Sequence, residues 1–303
     1  GSGFIGSKLI DFYLKKKFNV FSISLTKKKT KNTPNLKNFF FDISNKKKCN
    51  IFFNKYSFHY IINLAGYVDH RSFYTKSNNI IESHLLGTLN TVFNANKSVL
   101  KKYIYIGSSD EYGSNKSPQK EIFREMPNST YSFAKTSSAH FLQMISRAEN
   151  FPSSIVRIFL TYGPGQKENR FIPQIIKGCL ENSKFNTSSG IQLRDFCYID
   201  NTVQMNLLAA TTNNEEATNQ IYNVALNDRT TLNELYKIIE DRLIKKVQRL
   251  EKKKPKYRQF RSGDVRHSQA SIDKAQKLLG YHPKFRISEG MDQAIDWYIK
   301  STR

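Results

Sequence analysis

The chain has 303 residues, enough for one large domain or two modest ones around a real hydrophobic core. With 39% apolar and 24% charged residues, its composition excludes a disordered or fibrous chain. The 48 Lys and Arg against 25 Asp and Glu give +23, but the excess comes as short lysine runs without interleaved aromatics, so no specific nucleic-acid partner is expected.

The chain opens on Gly1-Ser2-Gly3-Phe4-Ile5-Gly6, a G-x-G-x-x-G turn of the type that sets a pyrophosphate against a helix N-terminus. Such a turn follows a strand, so a short apolar strand is expected within about ten residues upstream of Gly1. An amphipathic segment at 8–17 then precedes candidate strands at 20–25, 39–41, 60–64, 103–106 and 155–159. Residues 80–99 and 132–148 carry apolar side chains at three-and-four spacing and are read as covering helices. After Gly163-Pro164-Gly165 the pattern becomes helix-rich, with candidates at 171–181, 203–211, 232–243 and 288–299. The expected fold is α/β: a doubly wound parallel sheet of Rossmann type, its first strand missing from this sequence, in residues 1–165. A smaller α/β substrate-binding lobe follows in 166–303, with segments crossing between the two. The cleft between the lobes is the expected site.

No apolar run approaches the roughly 18 residues of a membrane span, and no signal-peptide layout is present, so a cytoplasmic setting without membrane attachment is expected. Cys49, Cys179 and Cys197 are odd in number and lack C-x-x-C spacing, which argues against a disulfide framework and against a metal site.

The strongest local signal is Tyr131-Ser132-Phe133-Ala134-Lys135, a phenol and an ammonium on one helix face. A phenol of reference pKa about 10 is a poor base at neutral pH unless a cation stabilises the phenolate, and Lys135 is the expected cation. Ser108 ends the strand at 103–106, at the carboxyl edge of the sheet, and is expected to hydrogen-bond a substrate oxygen while Tyr131 exchanges its proton.

At this point the chain resembles the extended short-chain dehydrogenase/reductases that act on nucleotide sugars, over essentially all 303 residues. The resemblance implies that Gly1, Gly3, Phe4, Ile5 and Gly6 form the cofactor loop. It implies further that Asp42 and Ile43 hold adenine and that Leu64, Ala65 and Gly66 flank the cofactor, which is NAD or NADP. Ser108, Tyr131 and Lys135 fall on the catalytic positions; Ser109, Arg194, Arg261 and Asp264 fall on the nucleotide-sugar side. A homodimer through 80–99 and 132–148 is also implied.

Within the family, residues 194–206 and 257–269 resemble UDP-N-acetylglucosamine 4-epimerases, which implies epimerisation through transient oxidation at C4. Residues 159–166 are instead closer to reductases of nucleotide-linked 4-keto-6-deoxysugars, because Leu160 replaces the usual Asn. His84 stands where many relatives carry Asn, and Asp110 lies where 4,6-dehydratases place an acid. Reductase, dehydratase and non-catalytic binding protein are the alternative readings.

Overall fold

The computed structural model describes residues 1–27, 33–71, 73–75, 77–183, 186–187, 189–247, 250–252, 255–258 and 267–302. Helix α1 (Phe4–Lys15) leads into β1 (Val20–Ser24), β2 (Leu36–Phe40), α2 (Lys46–Lys55) and β3 (Tyr60–Asn63). Next, α3 (Asn78–Ile81), a π-helical turn (Glu82–Leu86) and α4 (Gly87–Phe93) run on into one another ahead of β4 (Lys102–Ser108). A 3-10 turn (Ser109–Tyr112), α5 (Thr130–Glu149) and β5 (Ser153–Ile158) complete the first half. The second half holds β6 (Leu160–Tyr162), α6 (Phe171–Leu180), β7 (Asn186–Thr187), β8 (Leu193–Arg194), β9 (Phe196–Tyr198) and α7 (Ile199–Thr211). It continues through β10 (Ile221–Val224), β11 (Thr230–Thr231), α8 (Leu232–Lys246), β12 (Lys256–Tyr257), α9 (Asp273–Leu279) and α10 (Ile287–Thr302).

Strands β10, β5, β4 and β3 lie side by side in that order, all parallel, as βαβ connections require. β1 and β2 pair in parallel as a separate ribbon, and β1 and β3 line one cleft without sharing a register. β4 is buried on both faces. Tyr103 and Tyr105 pack with Leu142 and Ile145 of α5, whereas Ile104 and Ile106 pack with Met205 of α7 and Tyr222 of β10. Alternation on a strand sends neighbouring residues to opposite helical layers, and each such burial is worth about 1.5 to 3 kcal/mol. β10 comes from the second half of the chain and seals the sheet edge beside β5.

One element differs from what periodicity suggests. The helix expected to reach residue 99 ends at Phe93, where asparagine side chains offer the backbone other partners: Asn94 Nδ2 donates to the Asn90 carbonyl, and Asn96 Oδ1 accepts the Ser98 N–H. Conversely, the lysine run 46–48 opens a helix. Asn45 accepts the Lys48 N–H, and Cys49, Phe52 and Phe53 then fall on one buried face.

The second lobe centres on Ile175 of α6, Leu235, Ile239 and Leu243 of α8 and Ile295 of α10, all buried together. Asp195, between β8 and β9, ties this lobe to the sheet. Its buried carboxylate accepts N–H groups of Leu226 at 2.8 Å and of Asp228 and Ala270 at 3.3 Å. Among the described residues, no helix is long and apolar enough to cross a membrane, and no group of three or more His, Cys, Asp and Glu could hold a metal ion.

Candidate active site

A cleft of about 1690 Å³ runs along β1 and β3 and on past the carboxyl ends of β4 and β5. Its floor begins at the glycine turn. Cβ atoms built at Gly1 and Gly6 would lie 2.2 Å from Ser22 Oγ and 2.6 Å from the Gly1 carbonyl, so close packing requires both glycines. Gly3 is different: a Cβ there meets nothing within 4 Å. Gly3 is also the N-cap of α1 and supplies no side-chain cap, which leaves the first N–H groups of the helix for something else. An uncapped helix start beside an open glycine fits the diphosphate of a dinucleotide.

The neighbouring cofactor positions converge on the same space. Phe4 and Ile5 line the cleft and pack partly into the second lobe's core. Asp42, Leu64 and Ala65 line it too, Asp42 Oδ1 accepting the Ser44 N–H and Asn63 Oδ1 accepting that of Ala65. Ile43 is buried against Cys49 and Phe52, and its carbonyl accepts from Asn90 Nδ2. Gly66 has φ +112, and a Cβ there would lie 2.0 Å from His84 Cε1, so it needs glycine for both conformation and space.

Ser108, Tyr131 and Lys135 meet at the end of β4, each less than a tenth exposed. Ser108 caps the following 3-10 turn: its Oγ accepts the Asp110 N–H at 3.2 Å while Glu111 Oε1 accepts its own N–H at 2.7 Å. Burial pushes the Tyr131 phenol above its ordinary range and the charge of Asp110 adds to this, with the nearby Ser108 hydroxyl working against both. Lys135 Nζ donates to the Ile106 carbonyl at 2.6 Å and lies 4.8 Å from the Tyr105 ring centre. In this geometry the ammonium is directed at the end of β4. Burial lowers it to about 8, and the Glu111 carboxylate opposes that fall.

Two histidines flank the phenol edge-on, His84 at 5.3 Å and His70 at 5.6 Å between ring centres. His84 sits within the π-helical turn, almost wholly buried, with Nε2 3.0 Å from the Tyr67 carbonyl. Burial foremost, with the charge of Lys135, brings it down to about 3, so it is neutral at physiological pH. His70 Nε2 lies 3.5 Å from Asp110 Oδ2. Burial raises Asp110, opposed by His70 and by Arg194.

On the opposite wall stand Leu160, Arg170, Gln192, Arg194 and Arg258, with Ser109 on the catalytic side. Arg194 Nη1 donates to the Leu193 carbonyl at 2.9 Å. Arg261 and Asp264 lie outside the described residues. Sequence reading missed Arg170, Glu111 and Arg157. Only Arg170 left a local trace, as the last residue before a strongly amphipathic helix.

A doubly wound sheet with a tyrosine and serine buried at its carboxyl edge defines a dinucleotide-dependent enzyme of the short-chain dehydrogenase/reductase class. More particularly, the pattern of the NAD dependent epimerase/dehydratase family matches residues 1–225, and the chain belongs to that family. It is 27% identical to a UDP-glucuronate 4-epimerase of Thermodesulfobacterium geofontis, covering 98% of this chain and 93% of the relative. Among solved structures, the UDP-glucose 4-epimerase of Thermotoga maritima superposes with a TM-score of 0.91 at 24% identity, covering 100% of this chain and 98% of that one. The UDP-N-acetylglucosamine 4-epimerase of Methanobrevibacter ruminantium, in complex with UDP-N-acetylmuramic acid, gives 0.87 at 26% identity over 99% and 96%. The chain is thus an NAD-dependent enzyme of the nucleotide-sugar epimerase and dehydratase group.

Proposed function

We propose that the protein is a nucleotide-sugar 4-epimerase of the UDP-N-acetylglucosamine/UDP-N-acetylgalactosamine type. The observation that carries this reading is the meeting of Ser108, Tyr131 and Lys135 in one cleft with Arg194 on the facing wall. When bound, the nicotinamide supplies a reversible two-electron acceptor for C4. Tyr131 takes the proton of the C4 hydroxyl as a ketone forms and returns it when the alcohol is rebuilt. Ser108 hydrogen-bonds the C4 oxygen throughout. The Lys135 ammonium supplies positive charge beneath the site while Tyr131 is deprotonated. Arg194, and by resemblance Arg261, hold the nucleotide diphosphate while the ketone turns, with Asp264 by resemblance among the substrate-binding residues; the planar guanidinium suits phosphate oxygens.

Support for the N-acetylhexosamine comes from the segments 194–206 and 257–269 and from the 26% identical epimerase. The 27% identical relative is named for UDP-glucuronate, which makes that sugar the direct competitor. Leu160, 45% exposed in the cleft wall, favours a second reading as a 4-keto-6-deoxysugar reductase, since it gives a sugar hydroxyl no partner. Homodimerisation is supported by apolar side chains left exposed on the helices the resemblance assigns to it: Leu86, Phe93, Phe133 and Met144.

The test is incubation of purified protein with UDP-N-acetylglucosamine, UDP-glucose, UDP-glucuronate and a 4-keto-6-deoxysugar nucleotide, read by NMR. Interconversion of the N-acetylhexosamines with no net change in the nicotinamide absorbance is expected. Stoichiometric NADPH loss with the keto sugar alone would establish the reductase instead.

A further inference from the structure

One charge cluster beside the site has no role in the chemistry above. The side chains of Glu111 and Arg157 are both 0% exposed, and Arg157 Nε donates to Glu111 Oε2 at 2.8 Å. The guanidinium also bonds Glu125, whose other oxygen lies 3.1 Å from the exposed His140, and stands 4.7 Å from the centre of the Tyr112 ring. On its inner side, Glu111 Oε1 accepts the Ser108 N–H at 2.7 Å. Gly107 makes room for that carboxylate: a Cβ there would lie 2.6 Å from Glu111 Oε1. A continuous chain of bonded groups therefore runs from the surface to the catalytic serine.

Stability does not account for such a cluster, because burying an ion pair costs several kcal/mol and an apolar pair of equal volume is often as stable or more so. Its position does. The groups facing Lys135 are the Tyr105 ring from β4, Tyr131 one turn earlier in α5, neutral His84 from the π-helical turn, and Glu111. Glu111 is the one carboxyl group among these. Resting on the catalytic reading of Ser108, Tyr131 and Lys135, we propose that Glu111 and Arg157 are positioning residues. The Glu111 carboxylate fixes the Ser108 end of β4 and supplies the charge opposite the Lys135 ammonium, and Arg157 holds that carboxylate in place within the core.

Two paired substitutions separate these effects. Glu111→Gln with Arg157→Met removes both charges but keeps an acceptor for the Ser108 N–H, whereas Glu111→Val with Arg157→Met removes the acceptor as well. The loss of the Lys135 proton is followed by NMR of 13Cε-lysine, assigned with Lys135→Met. Thermal unfolding and UDP binding serve as controls. In both pairs the proton should leave at lower pH than in the native protein. The Gln pair should lose about tenfold in kcat, and the Val pair up to about a hundredfold through misplacement of Ser108, with KM little changed. Folded pairs with the native Lys135 titration and native kcat would overturn the proposal. Should the pairs not fold, Glu111→Asp decides: it keeps the charge but withdraws the carboxylate from Ser108, and an unchanged kcat would overturn the positioning role. A native protein that turns over no sugar nucleotide counts against the proposed function alone, because the Lys135 titration is read without turnover.

Discussion

The two walls of the cleft are built by different means. The catalytic wall lies on long elements with buried inner faces: β4 ends in Ser108, α5 presents Tyr131 and Lys135 one turn apart, and the Ser108 N–H and Oγ both have partners. The substrate wall is assembled from two- and three-residue strands and loop residues, Leu160, Gln192, Arg194 and Arg258, drawn from about a hundred positions of sequence. Rigidity on one side fixes where a proton moves. Loops on the other side decide which sugar is presented to it, so one chemistry can serve many substrates.

The contrast breaks most sharply at Tyr131. Tyr131→Phe removes the proton carrier and leaves the buried ring, so kcat should fall by roughly a hundredfold to ten-thousandfold while NAD and UDP affinities persist. Kinetics beside calorimetric titration of both ligands checks this; a parallel loss of binding would mean that the catalytic wall also holds substrate. On the facing wall, Arg194→Ala should act on affinity. A hydrogen bond to a charged group is worth about 1.5 to 3 kcal/mol, so KM and the UDP dissociation constant should rise about tenfold to a hundredfold with kcat nearly unchanged. A fall in kcat alone would erase the distinction between the walls.

Gly66→Ala sharpens the comparison from the stability side. Gly66 belongs to the rigid wall, and a methyl there meets the buried His84 ring from a backbone at φ +112. The expected loss is about 1 to 3 kcal/mol of unfolding free energy, measured by denaturant titration. A neutral result would place His84 in a looser setting than its burial indicates.

Legibility in the sequence follows the same division. The strands at 20–25, 60–64, 103–106 and 155–159 and the Tyr131–Lys135 spacing are readable because period-two and period-3.6 patterns are local, and Ser108, Tyr131 and Lys135 all lie buried on the cleft. The Glu111–Arg157 pair was not readable: its partners are 46 positions apart, and a buried charge looks like a surface charge until the sheet is assembled. β10 also leaves no pattern in the sequence. Residues 221–224 are too short to show alternation, and all four are buried by neighbours from both halves of the chain. Arg194 was found only through resemblance, since a two-residue strand carries no period at all.

The smallest expected effect concerns the cofactor, where the two kinds of wall meet. In many dinucleotide folds an acidic residue at the end of the second strand accepts hydrogen bonds from the ribose hydroxyls and repels a 2′-phosphate. Here the corresponding edge is the end of β1, reading Ser22-Ile23-Ser24-Leu25-Thr26-Lys27, and it carries no carboxylate. Ser22 to Thr26 line the cleft, so the absence bears directly on what the ribose meets. Lys27 is exposed at the rim, where attraction to a phosphate is screened and worth about a kcal/mol or less. The anion repulsion that would exclude NADP is thus missing, and the attraction that would demand it is weak. NADP(H) should bind at least as well as NAD(H), by no more than about fivefold at low salt, and the difference should shrink as salt is added. Titration of both cofactors against the protein's tyrosine and tryptophan fluorescence measures it. A clear preference for NAD(H) would mean that a group other than a β1 carboxylate reads the ribose, and would move cofactor selection from the rim of β1 to the helix start at Gly3.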